Sequence, residues 1–252
     1  MCLILFAFHA HEKYKLIVAA NRDEFYKRPT LPIHYWDDQP EILAGRDLHK
    51  MGTWMGITRN GKFAGLTNYR NPNEKNEGKR SRGELVSNFL SKNMSPHDFM
   101  NELDKMSTLY PGFNLIAGTI NELFYYSNVE RKVKKIEPGI YGVSNHLLNT
   151  NWPKVSKGKE ELERMISNRK KEEMTDNLFQ ILQSADPFPD EMLPNTGVSL
   201  EWERKLSPIF IKSDGYGTRS STVLLMSEDE IMISERVYAN NEIDQKEYKI
   251  NI

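Results

Sequence analysis

Two apolar runs at the start of the chain constrain its fold more than any other feature. Residues 3–9 and 14–20 contain Leu3-Ile4-Leu5-Phe6-Ala7-Phe8 and Leu16-Ile17-Val18-Ala19-Ala20, separated by a polar turn at 10–13. Neither run alternates with polar residues, so each reads as a strand covered on both faces. The turn makes them a hairpin. A first strand that is apolar on both sides needs one layer above it and another below. The expected class is α+β, with two mostly antiparallel sheets stacked between helical layers.

The rest of the chain fits that expectation. Residues 25–40, with Pro29, Pro32, Trp36 and Pro40, read as a surface loop, and residues 41–47 as a short strand. Asn60-Gly61 between two strand-like runs predicts a tight hairpin. Residues 71–82 lack any large apolar side chain and read as a loop. Leu85, Val86, Phe89 and Leu90 then share a helical face, and Ser95-Pro96 marks the start of a second helix. Strand patterns return at 113–118, 123–126, 132–136 and 140–144. A second helical block covers about 153–185 and stops at Asp186-Pro187-Phe188-Pro189. Residues 190–207 read as irregular. Ile209 to Lys212, Thr222 to Met226 and Ile231 to Glu235 read as strands before a weak tail. No repeat or linker divides residues 1–252, so one domain is expected.

Composition narrows the function classes. The net charge of -1 gives no footprint for nucleic acid or an anionic membrane surface. No apolar stretch approaches the ~20 residues of a membrane helix. Cys2 is the only cysteine, which excludes an intrachain disulfide and fits a reducing cytosol. The first apolar run has no basic segment before it, as a secretory signal would.

The position of that one thiol is its notable property. Removing Met1 leaves Cys2 with a free α-amine, so nucleophile and base share one residue. Their reference pKa values, about 8.5 and about 7.7–8.0, permit proton transfer near neutrality. Antiparallel pairing of the first two runs brings Cys2 beside Asn21-Arg22-Asp23-Glu24 at the far end of the second. Asp23 is placed to hold the amine there, and Arg22 to favour the thiolate.

Other candidates carry less. His9 and His11 share a strand face by spacing, but no further ligand completes a zinc pattern, so no metal is expected. Lys75, Lys79, Arg80 and Arg82 form a basic cluster, read as a solvated loop or as a contact for an anionic group on a ligand. Ser220 and Ser221 lack a Gly-x-Ser-x-Gly context. The aromatics at 35–36, 54 and 69 pack a core or line an apolar pocket.

Several segments carry a family resemblance. They are Met1-Cys2, Asn21-Arg22-Asp23-Glu24, Gly65-Leu66-Thr67-Asn68-Tyr69-Arg70, Gly142-Val143-Ser144-Asn145 and Gly217-Thr218-Arg219-Ser220-Ser221-Thr222. Together they resemble the NRDE protein family, whose eukaryotic members are called transport and Golgi organization proteins. That family is similar in turn to the N-terminal nucleophile hydrolases of the choloylglycine hydrolase and penicillin V acylase kind. The resemblance implies a four-layer αββα sandwich and cleavage of a non-peptide amide by an N-terminal Cys, with no cofactor. It makes Cys2 the nucleophile and Asp23 the carboxylate beside it, next to Asn21 and Arg22. Asn68 and Asn145 become the pair that orients the amine and forms the oxyanion hole, and Arg219 the late arginine near the thiol. The acylases carry an Arg three residues before the Asp, where this chain has Ala20. The ligand implied is a small acyl amide. The alternative is an apolar one, haem or an acyl chain, bound without turnover.

Overall fold

The structure, a computed structural model, describes residues 2–167, 174–239 and 242–252. The chain opens with strands β1 (Cys2–Phe8), β2 (Leu16–Phe25), β3 (Thr30–Tyr35), β4 (Ile42–Asp47), β5 (Met55–Thr58) and β6 (Phe63–Asn68). Helices α1 (Gly83–Ser91) and α2 (Pro96–Met106) follow, then β7 (Phe113–Gly118), β8 (Leu123–Ser127), β9 (Lys132–Lys135) and β10 (Gly139–Val143). Next come α3 (Pro153–Ser167), α4 (Met174–Leu182) and α5 (Leu200–Leu206). The chain closes with β11 (Lys212–Ser213), β12 (Tyr216–Met226), β13 (Glu230–Ala239) and β14 (Glu242–Asn251).

These strands form two sheets. One runs β10-β1-β2-β12-β13-β14, with β11 added beside β12. The other runs β3 to β9 in chain order. All pairings among the described residues are antiparallel. The two apolar runs explain why the first sheet lies inside. Ile4, Phe6 and Phe8 of β1 enter a core shared with Ile57, Phe63 and Ile116 of the second sheet. Leu3, Leu5 and Ala7 enter a different core, with Leu162 of α3 and Phe179 of α4. A third core joins the outer face of the second sheet to α1 and α2. The order of layers is helix, sheet, sheet, helix. Each buried Leu, Ile or Phe of β1 contributes roughly 1.5–3 kcal/mol relative to exposure. The start of the chain is therefore held by packing on both faces.

Local signals did what their chemistry demands. Gly61 turns at φ +81° between β5 and β6. Ser95 Oγ accepts the Asp98 N–H at 3.1 Å and caps α2. At Gly158 an added Cβ would lie 2.6 Å from the Leu5 side chain, so glycine lets α3 press directly onto β1.

Five sequence expectations fail. The supposed loop at 25–40 contains β3, an edge strand, where Pro32 needs no ladder partner on its open side. The supposedly irregular 190–207 contains α5, capped by Ser199. The weak tail is β14, paired with β13 along its whole length. It is polar because it is an exposed edge, so backbone pairing rather than apolar patterning makes it a strand. Ile209 to Lys212 is not a strand: only Lys212–Ser213 pairs, while Ile209 and Ile211 pack as buried coil. His9 and His11 do not share a strand face either. β1 ends at Phe8, and His9 turns at φ 46°. His9 Nε2 bonds the Ile120 carbonyl at 2.6 Å.

Candidate active site

Register places the thiol. Cys2 lies opposite Arg22, and Leu3 opposite Asn21. Side chains alternate along a strand, so Cys2 and Arg22 share the face toward the second sheet, while Asn21 and Asp23 turn toward the helices. The Ser144 hydroxyl, just beyond β10, donates to the Cys2 carbonyl at 3.1 Å and ties down the terminus from its other side. Cys2 is half-buried at the floor of a cleft of about 370 Å³. Arg22, Asp23, Trp54, Asn68 and Arg82 all contribute to its lining.

The electrostatics around the thiol are mixed. Burial pushes the Cys2 thiol above its ordinary value and the Asp23 charge adds to this, while Arg22 and the Asp23 backbone N–H pull it down. Asp23 is fully enclosed, and Thr218 Oγ1 donates to its Oδ1 at 2.7 Å. Burial raises the Asp23 carboxyl, opposed chiefly by the Lys154 ammonium. Lys154 is only 3% exposed, lies in the first turn of α3, and donates to the Leu206 carbonyl at 2.8 Å. Burial lowers its pKa to about 8, against the pull of Asp23.

The remaining sequence candidates divide into near and far. Asn68 ends β6 and lines the cleft. Asn145 is fully buried, and its Nδ2 donates to the Asn68 carbonyl at 2.9 Å, so its amide already fixes the Asn68 backbone. Asn21 lies on the helix side of the sheet. Its Nδ2 donates to the carbonyls of Leu182 and Ile209 at 2.8 and 2.9 Å, and its Oδ1 accepts from Ser221 Oγ at 2.6 Å. Every strong bonding position of that amide is thus taken by scaffold, away from the thiol. Arg219 lies outside the Cys2 cleft. β12 pairs Thr218 with Asp23 and then Ser220 with Arg22, so Arg219 is the extra residue of a bulge. The bulge re-aims it to the carbonyls of Phe25 and Arg28.

Sequence reasoning overlooked the ionic layer beneath the site. Arg70 and Glu203 form a buried ion pair at 2.7 Å, with side chains 7% and 4% exposed. Glu203 also accepts the Thr196 N–H and hydroxyl, at 2.9 and 2.6 Å. Lys154 left one readable signal: it falls four residues before Gly158 and eight before Leu162, on the apolar stripe of α3. Glu203 left none, since α5 itself went unread. The basic cluster is better placed than a solvated loop, because Lys79, Arg80 and Arg82 form one wall of the cleft. Among the described residues, no helix is long and apolar enough to cross a membrane.

Known proteins share this arrangement of layers. The Caenorhabditis elegans N-acylethanolamine-hydrolyzing acid amidase ortholog superposes with a TM-score of 0.53 at 11% identity, covering 89% of this chain and 92% of that one. A conjugated bile acid hydrolase variant from Clostridium perfringens gives 0.56 at 10% identity, covering 100% and 96%. At such identities the likeness is one of fold. In sequence, the chain is 36% identical over 257 residues to the transport and Golgi organization protein 2 homolog of Bos taurus, covering 94% of this chain and 92% of that protein. The Homo sapiens homolog is 33% identical over 267 residues, covering 98% and 96%. The family model described as Transport and Golgi organisation 2 matches residues 1–240, which include Cys2, Asn21-Arg22-Asp23-Glu24 and every residue discussed around the cleft. With whole-length relatives and a family match over nearly the entire sequence, the chain belongs to the Transport and Golgi organisation 2 family.

Proposed function

We propose that this chain is an N-terminal-cysteine amidohydrolase acting on a non-peptide carbon–nitrogen bond of a small acyl amide. One observation carries the reading: Cys2 begins an interior strand, opens onto a cleft, and is paired in register with Arg22 next to the buried Asp23. A rigidly held terminus is what a nucleophile with its own base requires. The fold shared with an acid amidase and a bile acid hydrolase supports it.

Removal of Met1 frees the Cys2 amine. The amine takes the thiol proton, and Sγ attacks the carbonyl carbon. The oxyanion that forms is held by amide donors, for which Asn68 on the cleft is the candidate, with Asn145 fixing the Asn68 backbone beneath it. Its collapse breaks the carbon–nitrogen bond, and the ammonium protonates the departing nitrogen. Water then adds to the thioester and gives a proton to the same amine. Cleavage of the carbon–sulfur bond releases the acid, and the thiolate regains the proton. Asp23, whose charge Lys154 and Thr218 favour against the effect of burial, orients the amine throughout. Asn21 and Arg219 serve as positioning residues, and Arg22 stabilises the thiolate. A lone thiol suits this chemistry to a reducing compartment such as the cytosol.

The apolar void beside Cys2, between Ile4, Ala20, Trp54, Met55 and Leu66, holds only about 10 Å³. Haem or a long acyl chain finds no apolar room there, which favours a small ligand beside Cys2. The test is the intact mass of the protein from its native cell, followed by incubation with a panel of amides. Loss of Met1 and a stable acyl adduct on Cys2, absent from Cys2→Ala, are expected. Retention of Met1 in the native protein, or no adduct from any amide, overturns the reading.

A further inference from the structure

Two guanidinium groups in the Cys2 cleft have spare donors. The Arg22 side chain is only 5% exposed and lies 4.1 Å over the Trp54 ring. Among the described residues it makes no hydrogen bond and no ion pair. Arg82, at the other wall, donates one bond, from Nη1 to the Gly112 carbonyl at 3.0 Å, and has no carboxylate partner among the described residues. The neighbouring guanidinium groups Arg28 and Arg80 are paired. Arg28 pairs with Asp47 at 2.6 Å, and Arg80 with Glu84 at 2.6 Å. None of the nitrogens of Arg22 or Arg82 is a sealed-off donor without a partner, so their spare N–H groups face the cleft. A strand position that puts such a group beside the thiol has a use for it. The planar fork of a guanidinium matches carboxylate and phosphate oxygens in a two-point bond, and cations in water-poor clefts bind anions best. The apolar void of about 10 Å³ leaves no room for a chain, while the charged cleft of about 370 Å³ has room for a compact polar molecule.

We propose that Arg22 and Arg82 form an anion-binding fork above Cys2, and that the amide cleaved here is a compact one bearing a carboxylate or phosphate close to its scissile bond. The substrate class rests on the amidohydrolase reading; the anion site does not. Arg22 then binds substrate directly, with Trp54 holding its guanidinium flat against the cleft wall.

Three probes of similar size separate the possibilities: N-acetylglycine, N-acetylethanolamine phosphate, and neutral N-acetylethanolamine. Binding is measured by calorimetry on the full chain carrying Cys2→Ala, and acylation by intact mass on the unsubstituted protein. At least one charged probe is expected to bind about ten-fold or more tighter than the neutral one. Preference for the carboxylate or for the phosphate identifies the group read. Arg22→Gln and Arg82→Gln, each added to the Cys2→Ala chain, should abolish most of that preference in binding and leave the affinity for the neutral probe unchanged. Should Arg22→Gln fail to fold, Arg22→Lys keeps a cation without the fork and should still lose several-fold in affinity. Equal binding of all three probes, or full charged-probe affinity in the arginine variants, overturns the fork. Acylation of Cys2 equally by neutral and charged amides removes the substrate class and leaves the amidohydrolase standing. Selective anion binding with no Cys2 adduct does the reverse.

Discussion

Arg70 and Arg22 are built alike except for one carboxylate. Each guanidinium is buried and each stacks on a tryptophan, Arg70 on Trp152 at 4.9 Å and Arg22 on Trp54 at 4.1 Å. Burial lowers the pKa of both. Arg70 is paired through Nη1 with Glu203, which also ties the 196 turn and α5 to the end of β6, although the Arg70 Nε is left without a partner among the described residues. Arg22 has no such partner among the described residues and opens on the cleft. The difference separates a cation that holds the scaffold from a cation held ready by it. A buried pair broken on one side leaves a stranded charge, whereas Arg22, open to the cleft, has no ionic partner among the described residues to lose.

The largest test of this contrast is Glu203→Ala. It strands Arg70 and frees Thr196, and about 3–5 kcal/mol of unfolding free energy should be lost in urea titration. A loss below about 1 kcal/mol would make Arg70 as idle structurally as Arg22 and erase the distinction.

Lys154 sharpens it through pH. Its folded pKa of about 8 lies below the ordinary 10.5, so between those values the unfolded chain holds the proton that the folded chain has released. Stability from this site therefore rises as pH increases from about 8 to 10.5, by on the order of 3 kcal/mol. Lys154→Met should lack that rise. Parallel pH profiles for the two proteins would show that the buried ammonium is not strained by its surroundings.

Within β2 the same division runs residue by residue. Asn21→Ala should cost about 2 kcal/mol in thermal or urea unfolding, because it orphans the Leu182 and Ile209 carbonyls and the Ser221 hydroxyl. Arg22→Met, one residue along, should stay within about 1 kcal/mol of the parent, since it removes no hydrogen bond. Similar losses at both positions would mean that the two faces of the strand share one structural role.

Much of the scaffold was readable before any coordinates. The hairpin that carries Cys2, the Asn60-Gly61 turn, the Ser95 cap and both helical pairs each declare themselves through local chemistry. Edge elements did not. β14 lacks an apolar pattern because solvent covers it, and β3 is obscured by Pro32. At the site, placing Cys2 beside residues 21–24 followed from antiparallel pairing alone, while the register that opposes it to Arg22 came from the structure. The destination of Asn21 did not, because its partners come from α4 and the coil at 209, far away in sequence. Nor did that of Arg219, because a single bulged residue shifts which side chain meets which neighbour.

By itself, then, the sequence determined that the chain starts inside the molecule, since six successive apolar residues after Cys2 leave no face for water. It also determined which four polar residues face that start, because a hairpin allows one end to meet only the other. The tertiary structure decided which charges are satisfied. Whether a buried arginine has a carboxylate depends on loops and helices more than a hundred residues away, as Glu203 shows for Arg70. Local periodicity has no means of recording such a meeting.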